Sequence, residues 1–117
     1  MSHIAEVKVE IKDTDALKAA CVRCGAEFIG YGMHDVFSVQ RAGIAFKPKG
    51  WHFPVVIQGS TAALDNYGGH WGDMAEFNRV KQMYSVEVAK KAAKRQGMNV
   101  REQSQKDGSI RLVCVGR

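Results

Sequence analysis

At 117 residues and 12.9 kDa, 45% hydrophobic and 25% charged, the chain has the size and balance of one soluble globular domain, which excludes a disordered tail. No apolar run nears the roughly 20 residues that cross a bilayer, and the opening MSHIAEVKVEIKD has no signal-peptide pattern, so no membrane role is expected. Three cysteines cannot all pair within the chain, which argues against a secreted disulfide scaffold and for a reducing, cytoplasmic setting.

Residues 3–11 alternate Ile4, Val7, Val9 and Ile11 imperfectly with charges, the pattern of a strand with one buried face. Asp13 then caps a short helix with Asp15 in its first turn. Leu17, Ala20, Cys21 and Cys24 fall at helical spacing, and Gly25 offers a left-handed stop. Residues 28–31 and 34–40 read as strands, the second carrying Val36, Phe37 and Val39. Ala42-Gly43 reads as a turn into a strand over residues 44–46, and Lys47-Pro48-Lys49-Gly50 breaks the chain. Another strand covers residues 53–57, with Pro54 near its start. The connections are too short for helical crossovers, so antiparallel pairing follows.

Residues 59–72 form the longest stretch without periodicity, and its length marks a candidate functional loop. It ends where Asp73 and Glu76 make an acidic version of a capping box. A long helix runs over residues 74–96, with Met74, Phe77, Val80, Tyr84, Val88 and Ala92 on one apolar face. Strands over residues 98–104 and 110–115 close the chain through Lys106-Asp107-Gly108. A three-residue loop with Gly108 left-handed aligns Met98 and Val100 with Ile110, Leu112 and Cys114. A two-residue turn would instead set Arg101 and Gln103 on that face, so the first register is expected. The order is β-α-β-β-β-α-β-β, a single α+β domain with two helices on one face of a mostly antiparallel sheet.

This order resembles the family of the plastid and cyanobacterial hypothetical open reading frame thirty-five, which also has bacterial and phage members. The residues that carry the resemblance are Met1-Ser2-His3 before a strand, Trp71-Gly72 before the long helix and Tyr84 within it. The ending adds Gly97-Met98-Asn99-Val100 and Asp107-Gly108-Ser109-Ile110-Arg111-Leu112. The resemblance covers both ends of the chain and little of the central strands. It implies a domain without an assigned activity or catalytic residues. Because members are sometimes encoded near an AAA-type ATPase and a small ferredoxin, it also implies an accessory role with an AAA-type ATPase as partner.

Four groups of residues carry candidate chemistry. Cys21-Val22-Arg23-Cys24 has the CxxC spacing of zinc chelation or thiol–disulfide exchange. A redox pair usually opens a helix and a zinc ribbon needs a second pair of ligands, so core packing is the simpler reading here. The set His34, Trp51, His52, Tyr67, His70 and Trp71 could line a ligand pocket, stack a nucleobase or hold a metal. Gly68-Gly69-His70-Trp71-Gly72 has the outline of a phosphate cradle but no lysine, and Asp73 and Glu76 put negative charge at the same helix start.

The fourth group is basic. Residues 1–78 hold seven Lys/Arg and nine Asp/Glu, whereas residues 79–117 hold ten and three, which concentrates the net +5 in the C-terminal third. The helix dipole and the Glu87–Lys91 spacing account for Lys90, Lys91, Lys94 and Arg95, but not for Arg101, Arg111 and Arg117. The expected function is a small non-catalytic binding or adaptor module that meets an acidic protein or nucleic acid through Lys90, Lys94, Arg101 and Arg111. No cofactor is called for. The alternatives are a metal- or thiol-dependent protein built on Cys21, Cys24 and nearby histidines, and a structural homo-oligomer that pairs sheet edges.

Overall fold

Asp13 starts the first helix by accepting the Ala16 amide at 3.0 Å on its carboxylate, and Gly25 ends it in the left-handed conformation at φ 67°. Between them α1, Thr14–Cys24, buries Ala16, Leu17, Ala20, Cys21 and Cys24, the stripe that its spacing predicts. The computed structural model describes residues 4–36 and 39–116. The Met1-Ser2-His3 opening, the placement of Phe37 and the charge of Arg117 lie outside them.

Strand β1, Ala5–Lys8, precedes α1, and four strands follow it: β2, Glu27–Val36; β3, Val39–Lys47; β4, Val55–Gln58; and β5, Thr61–Leu64. Then come α2, Met74–Arg95, β6, Asn99–Ser104, and β7, Ile110–Val115. The first five strands make an antiparallel sheet in the order β1-β5-β4-β3-β2, while β6 and β7 form a separate hairpin. The fold is α+β.

The two-residue period of the strands decides where the core lies. Ile44 and Phe46, Val55 and Ile57, and Ala62 and Leu64 face the helices and pack with Leu17, Ala20, Cys21, Phe77, Val80 and Tyr84. Phe77 stacks on Phe46 with ring centroids 6.2 Å apart and meets Trp51 at 6.3 Å. The Tyr84 hydroxyl accepts the amides of Lys12 and Asp13, each at 2.9 Å, which ties the entry of α1 to the middle of α2. Lys91 adds an ion pair to Asp13 at 2.6 Å, and this contact holds the Asp13 carboxyl below its ordinary range.

The opposite face of the sheet buries Val36, Ala45 and Val56 in one small cluster, with Ile4 against it. A straight strand from Val39 to Ala45 would run about 20 Å. Val36, paired with Val39, reaches Ala45 only because the β2–β3 hairpin curls over this face. A bulge between Phe28 and Gly30, and a bond of 3.0 Å between the His34 ring and the Gly30 carbonyl, lie along the curl.

Several sequence expectations are corrected. Residues 28–31 and 34–40 are not two strands: β2 is continuous, and the chain reverses after Val36. Ala42-Gly43 is no turn but the middle of β3, where Gly43 pairs with Gly32. The stretch 59–72 is not wholly irregular, because Thr61-Ala62-Ala63-Leu64 is a fifth sheet strand. Gly59-Ser60 turns it back on β4 with Gln58 opposite Thr61, a two-residue hairpin whose glycine sits at φ 58°. Ala92 is exposed and Ala93 buried, since the end of α2 packs on the β6–β7 hairpin rather than on the sheet. Glu76 forms no reciprocal cap and pairs with Arg79 at 3.2 Å. The expected hairpin register is found: Val100 faces Cys114, Gln105 and Ser109 close the loop, and Gly108 has φ 88°.

Candidate functional site

The two Trp-His segments, far apart in sequence, meet at the N-terminal end of α2. The His52 amide donates to the Trp71 carbonyl at 2.8 Å. Gly72 lies flat against the Trp51 indole, where a Cβ would stand 2.5 Å from two ring atoms. Trp51 itself is 3% exposed, and its ring N–H donates to the Asp73 carbonyl at 2.9 Å. It therefore belongs to the core and is removed from the expected stacking set.

The other members form a ladder of rings. Trp71 stacks on Tyr67 at 4.8 Å and on His52 at 6.5 Å, Phe53 meets it edge-on at 5.3 Å, and Tyr67 meets His70 at 5.1 Å. Among the described residues Tyr67 alone combines a side chain with positive φ, at 48°. Its amide donates to the buried Asp65 carboxylate at 3.1 Å, the Trp71 amide to the Asn66 carbonyl at 2.9 Å, and the Asn66 amide group to the Gly72 carbonyl at 3.2 Å. These bonds hold a backbone conformation that costs of order 1–3 kcal/mol. Tyr67, His70 and His52 are exposed, and Trp71 is half-buried. The phosphate-cradle outline fails on contact: the Asp73 carboxylate accepts the Ala75 amide at 2.9 Å and fills the helix start with negative charge.

Cys21 and Cys24 are buried in the core cluster against α2 and the sheet. Desolvation pushes the Cys21 thiol up to about 12 and raises Cys24 as well, so both are held as neutral thiols. Among the described residues no three His, Cys, Asp or Glu side chains gather as a metal site.

The basic residues divide into two groups. Lys90 is 2.8 Å from Glu102 and 3.5 Å from Glu87, and Arg23 of α1 forks onto the same Glu102 at 2.7 and 3.1 Å. Lys90 is thus committed inside the molecule. Lys94 lies exposed along the α1–α2 cleft beside Asp15, Lys90 and Lys91. Arg101 and Arg111 are exposed on the hairpin face that points away from α2, opposite Val113 and Gln103 respectively. The four residues expected to act together therefore divide into two pairs: Lys90 and Lys94 line the α1–α2 cleft, whereas Arg101 and Arg111 share the outer face of the hairpin.

The Glu102 network was missed in the sequence, although it left a signal. Glu102 is the one charge on the hairpin face that also carries Val100, Ile110 and Leu112, and a charge on an apolar face needs a partner. Hydrogen bonds from Arg23 and Lys90 hold its carboxyl down to about 2, from an ordinary 4.5. Because the folded state titrates below the unfolded one, its stabilisation is full above 4.5 and is withdrawn as pH falls toward 2. Chemical denaturation at a series of pH values should show stability dropping through that window. Glu102→Gln should cost about 1.5–3 kcal/mol at neutral pH, the worth of hydrogen bonds to charged groups, and should flatten the acid slope. An unaltered slope in the variant would assign the acid loss to other carboxylates.

No known protein family, curated protein or solved structure matches this chain.

Proposed function

We propose that the chain is a small non-catalytic binding module that takes an anionic partner, nucleic acid or acidic protein, on the outer face of the β6–β7 hairpin. The observation that carries this reading is the segregation of charge across that hairpin. On the inner face Arg23 and Lys90 are neutralised by Glu87 and Glu102. On the outer face, among the described residues, no carboxylate pairs with Arg101 or Arg111. Cross-strand geometry puts these two about 7–8 Å apart on a diagonal. Lys106 in the hairpin loop is exposed as well. Two guanidinium forks without carboxylate partners among the described residues offer bidentate contacts to phosphate or carboxylate. The hairpin rests on α2 and, among the described residues, pairs with no other strand, so it can be covered without disturbing the sheet.

Fluorescence anisotropy with labelled single- and double-stranded oligonucleotides and an acidic peptide, at low and physiological salt, tests the reading. Wild-type affinity should fall steeply with salt, and Arg101→Glu with Arg111→Glu should abolish it. For nucleic acid each lost phosphate contact should reduce the salt slope by about one. Affinity indifferent to both charge reversals would remove the hairpin from the interface.

A further inference from the structure

A groove of about 260 Å³ opens on the helix-bearing face of the sheet, beside the start of α1. Its apolar wall comes from Ile11, Leu17, Ile44 and Ile57, the last three of them buried. Side chains in a packed core normally close a gap of this kind. Here Gly59 of the β4–β5 turn also lines the groove, and a Cβ on it would stand in open space. Tyr31 pairs with Ile44 and Met33 with Ala42, so the apolar row continues outward along the same face. These two side chains are 79% and 63% exposed, and large apolar groups left bare beside a groove mark a binding surface.

Lys12, Thr14 and Tyr31 supply the polar part of the lining. Among the described residues none of these three side chains has a hydrogen-bond or ion-pair partner, and no carboxylate lines the groove. The acidic residues nearest in the chain are committed or placed elsewhere. Asp13 caps α1 and holds Lys91 at 2.6 Å, Asp15 lies on the α1–α2 cleft, and Glu10 lines a separate hollow with Lys81. One uncompensated ammonium and two hydroxyls beside an apolar wall are complementary to a carboxylate that carries an apolar body.

We propose that this groove binds a small free aliphatic monocarboxylate, its chain on Ile11, Leu17, Ile44 and Ile57 and its headgroup at Lys12. The volume sets the size of the ligand. At roughly 30 Å³ for each small non-hydrogen group, the share of one water in the liquid, the groove holds about nine. A bare inorganic anion would leave the apolar wall uncovered, and a purely apolar body would leave the ammonium without a counter-charge. None of the lining residues belongs to the β6–β7 hairpin, so this site is independent of the anionic partner proposed there.

Octanoate is the probe, with octanol and octylammonium as neutral and cationic controls of the same body, titrated into the whole chain and followed by methyl resonances. Octanoate should give saturable one-to-one shifts at the groove methyls of Ile11, Leu17, Ile44 and Ile57. Octanol should bind about tenfold or more weakly, the worth of a hydrogen bond to a charged group, and octylammonium more weakly still. Lys12→Glu should reverse the order, favouring octylammonium over octanoate, with an unchanged far-ultraviolet spectrum because Lys12 is exposed. Arg101→Glu with Arg111→Glu should leave octanoate affinity unaltered. Four results would overturn the proposal: no saturable shift, octanol bound as tightly as octanoate, octanoate affinity unchanged in Lys12→Glu, or groove methyls that shift with protein concentration alone. The last would give the surface to a second copy of the chain.

Discussion

Phe77→Ala should lower stability by about 3–5 kcal/mol, the range for truncating a fully buried aromatic. Phe77 is 0% exposed and touches two other parts of the fold at once. It lies nearly parallel to Phe46 of β3, 7° between ring planes, and tilts against Trp51 from the segment between β3 and β4. The cavity left behind is walled by side chains that cannot follow it. Phe46 is fixed on a central strand, and Trp51 is held by its bond to the Asp73 carbonyl. Chemical denaturation should show the midpoint moving with an unchanged slope. Because Gly72 is packed on Trp51, the aromatic loop should loosen in the same variant, with faster exchange of the Trp71 amide. A loss under 1 kcal/mol would mean that α2 does not dock through this face.

How much of this was legible in the sequence depends on how locally each feature is determined. Helix α1 was readable from Asp13 to Gly25 because cap, stripe and stop all lie within one short segment. The β6–β7 register was readable because only one loop length makes an apolar face. The central strands were harder, since their boundaries are set by partners distant in sequence. Thr61–Leu64 carries no alternation of its own, and the Gly59-Ser60 turn before it was the available sign. The ring ladder was legible in composition but not in place, because the His52–Trp71 bond joins two loops on opposite sides of β4 and β5. The split of the basic cluster followed from Glu102, whose partners Arg23 and Lys90 come from two different helices. A charge count along the chain carries no trace of such neutralisation.

Gly43→Ala should be among the most damaging substitutions in the chain, at about 3 kcal/mol or more, at and beyond the top of the usual overpacking range. Gly43 resembles a turn residue in sequence, which is why Ala42-Gly43 suggested one. In the fold the backbone of β3 at Gly43 lies close against β4. A Cβ at Gly43 would run into the backbone carbonyl oxygen of Ile57 and crowd the Val56 side chain. A flexible side chain could swing aside, but Ile57 is 6% exposed and paired with Ile44 on β3 and Ala62 on β5. Relieving the clash means separating β3 from β4 in the middle of the sheet. Gly32, directly opposite in the register, supplies the control. Its φ of 156° matches the 157° at Gly43, so the backbone preference against alanine is the same at both sites. A Cβ at Gly32 would meet only the His34 ring at 3.6 Å, an ordinary contact. The difference between Gly43→Ala and Gly32→Ala in thermal or chemical denaturation therefore isolates the close approach of β3 and β4. Equal losses would place the cause in backbone conformation instead, and the packing account of Gly43 would fall.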